Sequence, residues 1–351
     1  MQSVLLPLNT PLSKAHPHNA YQLSILACKE ETRTWIYMNY IHLVAEAKNE
    51  NHPIAFFLPD NSGYNWNCVT PWFEYNVLTR DFISECRWDF STIVKKAIFN
   101  NNYIYLYINE KYIPGTYWHS KGIDYSHSLL LHGYNELTNE VSFLIYDASR
   151  ALSVRSIPMN EMEKAFYDNQ YRCERYENQI YLLKLREQLG YKLGFDLKYM
   201  IEQLVTYRDE KPVVFNVLDR HTDDRYRYGL AVYDSMINYM DMICHGLVTN
   251  AREGIIIPMH LLMEHKHIMV ERLKFLAEHY THLEVSSFIE EFEYLKKSFE
   301  SLRNNALKFE LTGNPVIISK LIGCMAELKE NERSSLTKLI NFLESNYTES
   351  E

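Results

Sequence analysis

The sequence predicts an α+β protein, with helices and strands mixed up to about residue 165 and an all-helical C-terminal half. Two apolar runs, 127–134 and 141–147, flank a short polar loop, which is typical of a β-hairpin. The run 103–108, YIYLYI, has strong β-propensity and predicts a further strand. Since mainly helical patterns follow, we expect two domains, 1–165 and 166–351.

The N-terminal half begins with an extended segment, because Pro7, Pro11 and Pro17 prevent a continuous helix over residues 1–19. Asn19 is a suitable N-cap for a helix that begins at Ala20. The elements expected in this half are helices over 20–29 and 32–48, a strand over 54–58, a helix over 90–101, a strand over 103–108, the hairpin, a strand over 150–157 and a helix over 159–167.

The C-terminal half shows apolar patterns at helical spacing, and Pro258 suits the first turn of a helix. Gly313-Asn314-Pro315 marks a boundary between two helices. The helices expected here cover 173–189, 196–208, 225–245, 258–280, 285–310 and 314–346, with a break in the last near residues 330–331.

Composition and charge exclude several classes of protein. The 351 residues are 46% apolar and carry a net charge of −9 with no long basic run, which argues against binding to nucleic acid. The sequence predicts neither a signal peptide nor a membrane span. Six scattered cysteines without a CxxC pair indicate reduced thiols in the cytoplasm, and no metal site is expected.

The predicted hairpin has a histidine and a carboxylate at its open end. With the turn centred near Leu137, antiparallel pairing sets His127 opposite Asp147. Directly opposed side chains share a face, with Cβ atoms about 5 Å apart, so the carboxylate would fix the tautomer of a general base. The alternative is an edge-strand histidine beside an aspartate that closes a turn.

The order of elements along the chain is that of papain-like folds. A helix begins at residue 20, and His127 and Asp147 follow on neighbouring strands. The partial positive charge and free N–H groups of a helix N-terminus lower the pKa of a thiol and help to stabilise an oxyanion. In such a triad the histidine deprotonates the thiol and later shuttles a proton, while the aspartate orients the histidine.

Residues 107–147, YINEKYIPGTYWHSKGIDYSHSLLLHGYNELTNEVSFLIYD, resemble the His/Asp core of the bacteriocin-processing cysteine proteases. Within that fold the segment is similar to a biosynthetic branch that makes amides and includes the butirosin and closthioamide acyltransferases. The strand of His127, the turn entry at Gly133-Tyr134 and the strand that ends in Asp147 carry this resemblance. The helical half, including PMHLLMEHKHIMVERLKFL over 258–276, is similar in general character only.

Ala20 departs from the family pattern, in which a cysteine opens the first helix. Our hypothesis is that Ala20 replaces the nucleophilic cysteine through a deliberate substitution that traps a substrate complex. A natural pseudoenzyme and a misplaced motif are the alternatives. Cys28 does not suit the role, since it lies two turns inside the predicted helix, where the effect of the helix dipole has faded.

Other residues are candidates for contacts with substrate. Papain-like enzymes use a glutamine before the nucleophile as an oxyanion donor, but residues 9–19 contain none, so Asn19, Asn9 or a main-chain N–H would serve. Helix capping is the alternative role for Asn19. The aromatic candidates, which would line an acyl pocket or pack in the core, are Tyr21, Trp66, Trp72, Tyr117 and Trp118. Three arginines, which would bind a phosphopantetheine arm or form a solvated surface, are Arg220, Arg225 and Arg227.

The resemblance implies an amide-forming acyltransferase of antibiotic biosynthesis. The acyl group would arrive as a thioester on the phosphopantetheine arm of an acyl or peptidyl carrier protein, and a small amine would accept it. In a closthioamide-type reaction these would be p-hydroxybenzoyl-capped oligo-β-alanine and 1,3-diaminopropane, with no further cofactor. The helical domain would cover the site and exclude water. The alternatives are a peptidase or other hydrolase of the same fold and a non-catalytic binding protein.

Overall fold

The chain divides into two units, the first comprising residues 1–32 and 62–192 and the second residues 33–61 and 193–351. The computed structural model describes residues 3–46, 54–58, 70–169, 177–214, 226–248 and 252–347. The first unit holds a large β-sheet and the second is mainly helical, so the predicted mixed α/β character is confirmed. Of the predicted strand 54–58, residues 54–56 are a strand.

The first unit is built around a seven-stranded antiparallel sheet. Its strands follow the order β4-β9-β5-β6-β7-β8, and β1 pairs with β6. The strands are β1 (Ser3–Leu5), β4 (Phe73–Thr79), β5 (Tyr103–Asn109), β6 (Ser126–Asn135), β7 (Glu140–Tyr146), β8 (Leu152–Pro158) and β9 (Gln179–Leu185). The helices are α1 (Pro17–Leu26), α3 (Arg80–Glu85), α4 (Phe90–Phe99), α5 (Tyr117–Lys121) and α6 (Met159–Tyr167).

The central strands supply the core of this unit. Ile104 and Leu106 of β5 and Leu129 and Leu131 of β6 have no exposed surface. Because both strands are apolar along most of their length, the centre of the sheet is buried on both faces.

Strand β9 corrects two predictions. A helix was expected over 173–189, but residues 179–185 form a strand that pairs with both β4 and β5. The predicted domain boundary at 165/166 is wrong for the same reason, since the first unit extends to residue 192. The sequence QIYLLKL is an apolar run that periodicity alone does not assign to helix or strand, and pairing decided its conformation.

The second unit is mainly helical. Its helices are α2 (Thr32–Asn39, whose first residue belongs to the first unit), α7 (Leu197–Arg208), α8 (Val232–Cys244), α9 (Ile257–His279), α10 (Ser286–Thr312) and α11 (Pro315–Asn346). A small sheet has the strand order β10-β2-β3, formed by β2 (Leu43–Glu46), β3 (Ile54–Phe56) and β10 (Tyr226–Tyr228).

Three predictions in this unit are wrong. The helix expected over 225–245 begins at Val232, because residues 226–228 form strand β10. The helix expected over 32–48 ends at Asn39, and residues 43–46 pair as a strand with β3 and β10. The break expected near residues 330–331 is absent, because α11 continues without interruption from Pro315 to Asn346. Glu332, the residue directly after the predicted break, is fully buried in a polar cluster that ties α11 to its neighbours.

That polar cluster joins three helices of the second unit. Lys266 of α9 and Glu332 of α11 form an ion pair with no exposed side-chain surface. The hydroxyl of Tyr233 on α8 donates to the second oxygen of Glu332, and Lys266 Nζ lies 2.9 Å from His265 Nδ1. Burial lowers the pKa of Lys266, although Glu332 opposes that change. A buried pair of this kind is costly to break on one side only.

Candidate active site

His127 and Glu110 form the central pair of the candidate site. His127 is the second residue of β6 and lies opposite Ile108 of β5. Glu110 lies two residues beyond Ile108, in the single 3-10 turn Glu110–Tyr112 that follows β5. Residues two apart along a strand share a face, so Glu110 is a diagonal neighbour of His127 across the β5–β6 pair.

The carboxylate of Glu110 is engaged on both oxygens. His127 Nδ1 lies 2.6 Å from Oε2, and the main-chain N–H of Trp118 donates to Oε1 at 3.2 Å. The Glu110 side chain is 2% exposed, whereas 24% of the His127 side chain is exposed. Because a carboxylate only accepts hydrogen bonds, the proton of a neutral His127 is assigned to Nδ1. Nε2 is then the nitrogen that can accept a proton from a nucleophile.

The main chain around Glu110 is also fixed by hydrogen bonds. The N–H of Glu110 donates to the carbonyl of Tyr125 at 2.8 Å. Asn109 donates through Nδ2 to Asp124 at 2.7 Å, and its Oδ1 accepts from the N–H groups of Lys111 and Tyr125. The carboxylate is therefore oriented before any substrate binds, which is the property expected of a group that holds a catalytic imidazole.

The predicted pairing of His127 with Asp147 is wrong. Strands β6 and β7 do pair in the predicted register at Leu130 and Leu144, but the pairing ends there. Asp147 Oδ1 accepts from the hydroxyl of Ser149 at 2.6 Å and from the N–H of Ala151 at 3.0 Å. Asp147 therefore closes the β7–β8 turn, the alternative role that the sequence had left open.

The pKa of Asp147 is consistent with this turn role. Partial burial raises it, but the hydrogen bonds from Ser149 and Ala151 and the charge of Arg155 outweigh burial and leave the pKa below its ordinary value. Asp147 Oδ2 lies 3.8 Å from Arg155. The partners of this carboxylate are local, so the negative charge serves the turn and not the imidazole.

Helix α1 begins earlier than predicted. Pro17 occupies its first turn and His16 is the N-cap residue, without a side-chain capping bond. Proline suits this position because its missing N–H would have no partner within the helix. Ala20 therefore lies in the first turn and not at the helix start, and its N–H already donates to the carbonyl of His16 at 3.0 Å. The main-chain N–H of residue 20 is not available to an oxyanion.

Ala20 lies on a helix that packs beside the strand of His127. Tyr21, the next residue, donates from its hydroxyl to the carbonyl of Ser128 at 3.0 Å, and Ser128 follows His127. Burial raises the pKa of Tyr21 well above its ordinary value, and the charge of Glu110 contributes to that rise. Tyr21 therefore ties α1 to β6 as a protonated, buried group, and Ala20 itself has no exposed surface.

The two asparagine candidates lie in different places. Asn19 is not the cap of α1, since the helix starts before it, and this prediction is wrong. Its side chain is 1% exposed and its Nδ2 has no hydrogen-bond partner among the described residues. Asn9 donates to the carbonyl of Ala27 at the opposite end of α1, which removes it from the candidate site. Of the two asparagines, Asn19 therefore remains as the candidate oxyanion donor.

The aromatic candidates also lie in different places. The Trp118 ring stacks on Tyr125 at 4.4 Å between ring centroids, and Tyr125 lies 6.0 Å from the ring of His127. Tyr117 contacts Trp118 at 5.0 Å. Trp72 is 4% exposed and lies in the core. The predictions for Trp66, Arg220 and Arg225 fall outside the described residues.

Two other histidines, His119 and His132, and the cysteine Cys28 lie apart from the His127–Glu110 pair. His119 Nδ1 lies 2.7 Å from the carbonyl of Lys111, and His132 Nδ1 lies 2.9 Å from the carbonyl of Leu6. Burial raises the pKa of the Cys28 thiol, which opposes its activation as a nucleophile. Cys28 lies beyond the C-terminal end of α1, away from the first turn that holds Ala20.

Glu110 is the residue that the sequence analysis missed. The signal was present, because the predicted strand 103–108 and the strand of His127 are both strongly apolar and suited to pair. An antiparallel register that sets Ile108 opposite His127 places Glu110 diagonally beside the imidazole. The predicted partner, Asp147, follows β7, the strand on the other side of β6.

The chain matches no protein-family model and no curated protein sequence. Within the described residues, no cluster of three or more His, Cys, Asp or Glu side chains could bind a metal ion. In the same part of the chain, none of the helices combines the length and apolarity needed to cross a bilayer.

Proposed function

We propose that this fold carries out acyl transfer at a papain-like site in which residue 20 is the position of a nucleophilic cysteine. The observation that carries the proposal is the buried Glu110 carboxylate bonded to His127 Nδ1, which leaves Nε2 of the imidazole for proton transfer. Tyr21 ties α1 to Ser128, the residue after His127, so the helix with residue 20 is anchored to the strand that carries this imidazole.

The proposed reaction has two steps. Nε2 of His127 takes the proton of the thiol, and the thiolate attacks the carbonyl carbon of an acyl thioester, whose thiol leaves with the proton. An amine then attacks the acyl-enzyme and transfers a proton to His127, and the amide is released as the cysteine thiol is restored. Glu110 holds the ring in the required tautomer and stabilises the imidazolium.

The oxyanion that forms in each step needs donors. The N–H of residue 20 is bonded to His16, so we assign this role to the Asn19 side-chain amide, whose Nδ2 is buried and has no hydrogen-bond partner among the described residues. A preorganised amide at this point would bind developing negative charge without reorganisation. Exclusion of water by the helical unit stays a prediction.

A second function is favoured by Ala20 itself. Without a thiol the chain cannot form an acyl-enzyme, and a protein of this sequence would bind a thioester without turning it over. In that case the His127–Glu110 pair would polarise or hydrogen-bond the ligand. The alanine is the one observation that supports this alternative.

The experiment that tests the proposal is Ala20→Cys. The variant is incubated with a p-hydroxybenzoyl thioester, and the intact mass is read with and without 1,3-diaminopropane. We expect a mass gain equal to the acyl group that the amine discharges as an amide. Discharge by water alone would instead indicate a hydrolase.

Two controls accompany this experiment. The chain with Ala20 reports acylation of the exposed thiols Cys86, Cys244 and Cys324. The double variant Ala20→Cys with His127→Ala keeps the new thiol and removes its base. Equal labelling in all three proteins, or none in any of them, would contradict the proposed acyl transfer.

A further inference from the structure

Strand β4 forms one edge of the seven-stranded sheet in the first unit. It pairs with β9 over its full length, from Phe73 to Thr79, without a shift in register. No strand pairs with the other side of β4 in the part of the chain that the structure describes. An uninterrupted edge strand of seven residues is a template for pairing with a strand of another chain.

The hydrogen bonds at the two ends of the β4–β9 pair show which main-chain groups face the outer side of β4. The N–H of Arg80 donates to the carbonyl of Asn178. At the other end, the N–H of Arg186 donates to the carbonyl of Trp72. Because hydrogen-bonded positions alternate in an antiparallel pair, the even-numbered residues of β4 bond to β9. The N–H and C=O groups of the odd-numbered residues, such as Val77, are therefore directed to the outer side.

The opposite edge of the sheet, strand β8, is protected against such pairing. The N–H of Asp147 donates to the carbonyl of Ala151, so by the same alternation the even-numbered residues of β8 face away from β7. Pro158 is one of these residues and presents no N–H on that side. Strand β4, with the sequence FEYNVLT, contains neither proline nor lysine, the residues that block association at many edge strands.

The face of the sheet that forms the core reaches the surface at β4. Tyr75 and Val77 are 43% and 40% exposed. Their partners on β9, Leu183 and Tyr181, are 0% and 1% exposed. Directly opposed residues share a face, so the apolar face that is buried at β9 continues into solvent at β4. A further strand beside β4 would extend this face and cover it.

We propose that β4 pairs with β4 of a second copy of this chain, in antiparallel orientation about a two-fold axis at Asn76. In this register all seven residues of each strand are paired. The odd-numbered residues form the hydrogen-bonded pairs, with Tyr75 opposite Val77 of the second copy. An aromatic residue opposite a β-branched residue is a favourable cross-strand pair, and the two-fold symmetry produces it twice.

The charges on β4 suit a second copy as the partner. Glu74 is the one charged residue of the strand, and this register places it opposite Leu78 and not opposite another carboxylate. Asn76 meets Asn76 of the second copy at a non-hydrogen-bonded position, where opposed side chains are closest and two amides can exchange hydrogen bonds. The strand therefore meets its own copy without like charges facing each other, although each chain carries a net charge of −9.

The surface beside β4 determines how strong such a dimer can be. The two paired strands alone are too small for the ~800 Å² that each partner buries in a standard interface. Helix α3 begins directly after β4, and the rings of Phe82 and Trp88 pack on each other at 5.5 Å there while remaining 45% and 47% exposed. These rings can add apolar contact at each end of the paired strands, so we expect a dimer with a Kd of about 10 μM.

The test is the molar mass of the full chain in solution, measured by analytical ultracentrifugation over a range of concentrations. We expect the mass to rise from the 41.7 kDa of one chain to twice that value. Asn76→Lys and Asn76→Asp should each weaken association by about tenfold, because like charges then face each other and the amide pair is lost. Asn76 is exposed, so both variants should keep the fold, which circular dichroism checks.

An equimolar mixture of the two variants tests the register itself. An aspartate opposite a lysine forms an ion pair in place of the repulsion, so the mixture should associate at concentrations at which each variant alone is a monomer. The matched control is Val154→Lys, which places the same charge on the other edge strand, β8, at a residue that is 56% exposed. This variant should associate as strongly as the native chain.

Several outcomes would overturn the proposal. They are a native chain with the mass of one chain at every concentration, undiminished association of Asn76→Lys, a mixture that associates no better than its components, and a loss of association in Val154→Lys. Because the measurement involves neither residue 20 nor His127, its result is independent of the proposed acyl transfer.

Discussion

At the scale of single residues, Glu110 has the properties of a fixed hydrogen-bond acceptor. Its side chain is almost fully buried, and each oxygen accepts one hydrogen bond from a different element. A buried carboxylate with an imidazole and an amide N–H as donors cannot rotate without losing one of them. The ring of His127 is consequently held in one orientation, while its other nitrogen is left for chemistry.

Asn19 provides a prediction at this scale. In the Ala20→Cys background, Asn19→Ala should slow acylation by about 10²- to 10³-fold, because an oxyanion would lose a preorganised donor. The free energy of unfolding should change little, since Nδ2 of Asn19 has no partner to lose. Single-turnover mass spectrometry measures the rate, and urea unfolding measures the stability.

The control for this prediction is Asn9→Ala. Asn9 bonds at the other end of α1, so its replacement should leave the acylation rate unchanged. A loss of stability in Asn19→Ala without a loss of rate would show that Asn19 serves only packing.

At the scale of elements, helix α1 determines what position 20 can do. Because Pro17 starts the helix, the N–H of Ala20 is already used within the first turn. A thiol placed there would gain from the helix dipole, but it would depend on a side chain for its oxyanion donor. The start of the helix was predicted three residues too late because Asn19 is a good capping residue and Pro17 was treated only as a helix breaker.

The contact between the segment after α2 and helix α7 is expected to make the stability of the protein depend on pH. His42 is buried, and its Nε2 lies 2.7 Å from Gln203 Oε1 on α7. Burial lowers the pKa of His42 to about 4, with a further decrease from Arg272 and an opposing hydrogen bond from Gln203.

Because its folded pKa lies below the unfolded value of 6.5, His42 costs no stability above pH 6.5. Between pH 6.5 and 4 only the unfolded chain takes up the proton, so stability falls as pH falls, by about 3 kcal/mol in full. His42→Gln should therefore lose about 2 kcal/mol less than the native chain between pH 7 and pH 5 in urea unfolding.

The exposed His245 of α8 gives the control for this measurement. His245→Gln makes the same substitution at the C-cap of α8, where the side chain is 66% exposed, and should not reproduce the change expected for His42→Gln. Parallel pH curves for the native chain and His42→Gln would contradict the assignment of His42 as a buried neutral histidine.

At the scale of the whole molecule, elements that depend on local sequence patterns were predicted better than elements that depend on pairing between distant strands. Strand β5 and the β6–β7 hairpin were predicted because their apolar runs and turn residues are contiguous in sequence. Strand β9 was missed because its partners, β4 and β5, lie more than 70 residues away. Helices α7, α9 and α10 have strong helical spacing, and their predicted ends agree with the structure to within two residues. Helix α8 begins later than predicted because residues 226–228 pair as a strand, and α11 lacks the predicted break.

The residues of the candidate site show the same difference between local and long-range signals. His127 was found from its strand and from the family resemblance, whereas its carboxylate partner depends on which neighbouring strand reaches the imidazole. Asp147 was predicted as the partner because the strand pairing of the hairpin was assumed to continue to Asp147. In the structure the Asp147 carboxylate instead accepts a hydrogen bond within the β7–β8 turn. Glu110 required the register between β5 and β6, which no short stretch of sequence contains.

The reactivity of a thiol at position 20 tests the central claim most directly. In Ala20→Cys, the rate of alkylation by iodoacetamide is measured by intact mass from pH 5 to pH 10 and compared with that of the native chain. If His127, held by Glu110, serves this position, the thiol should react well below its ordinary pKa of about 8.5. Glu110→Gln should reduce this low-pH reactivity, and Asp147→Asn should preserve it. A single rise near pH 8.5 that is indifferent to His127→Ala, or a larger effect of Asp147→Asn than of Glu110→Gln, would contradict the account.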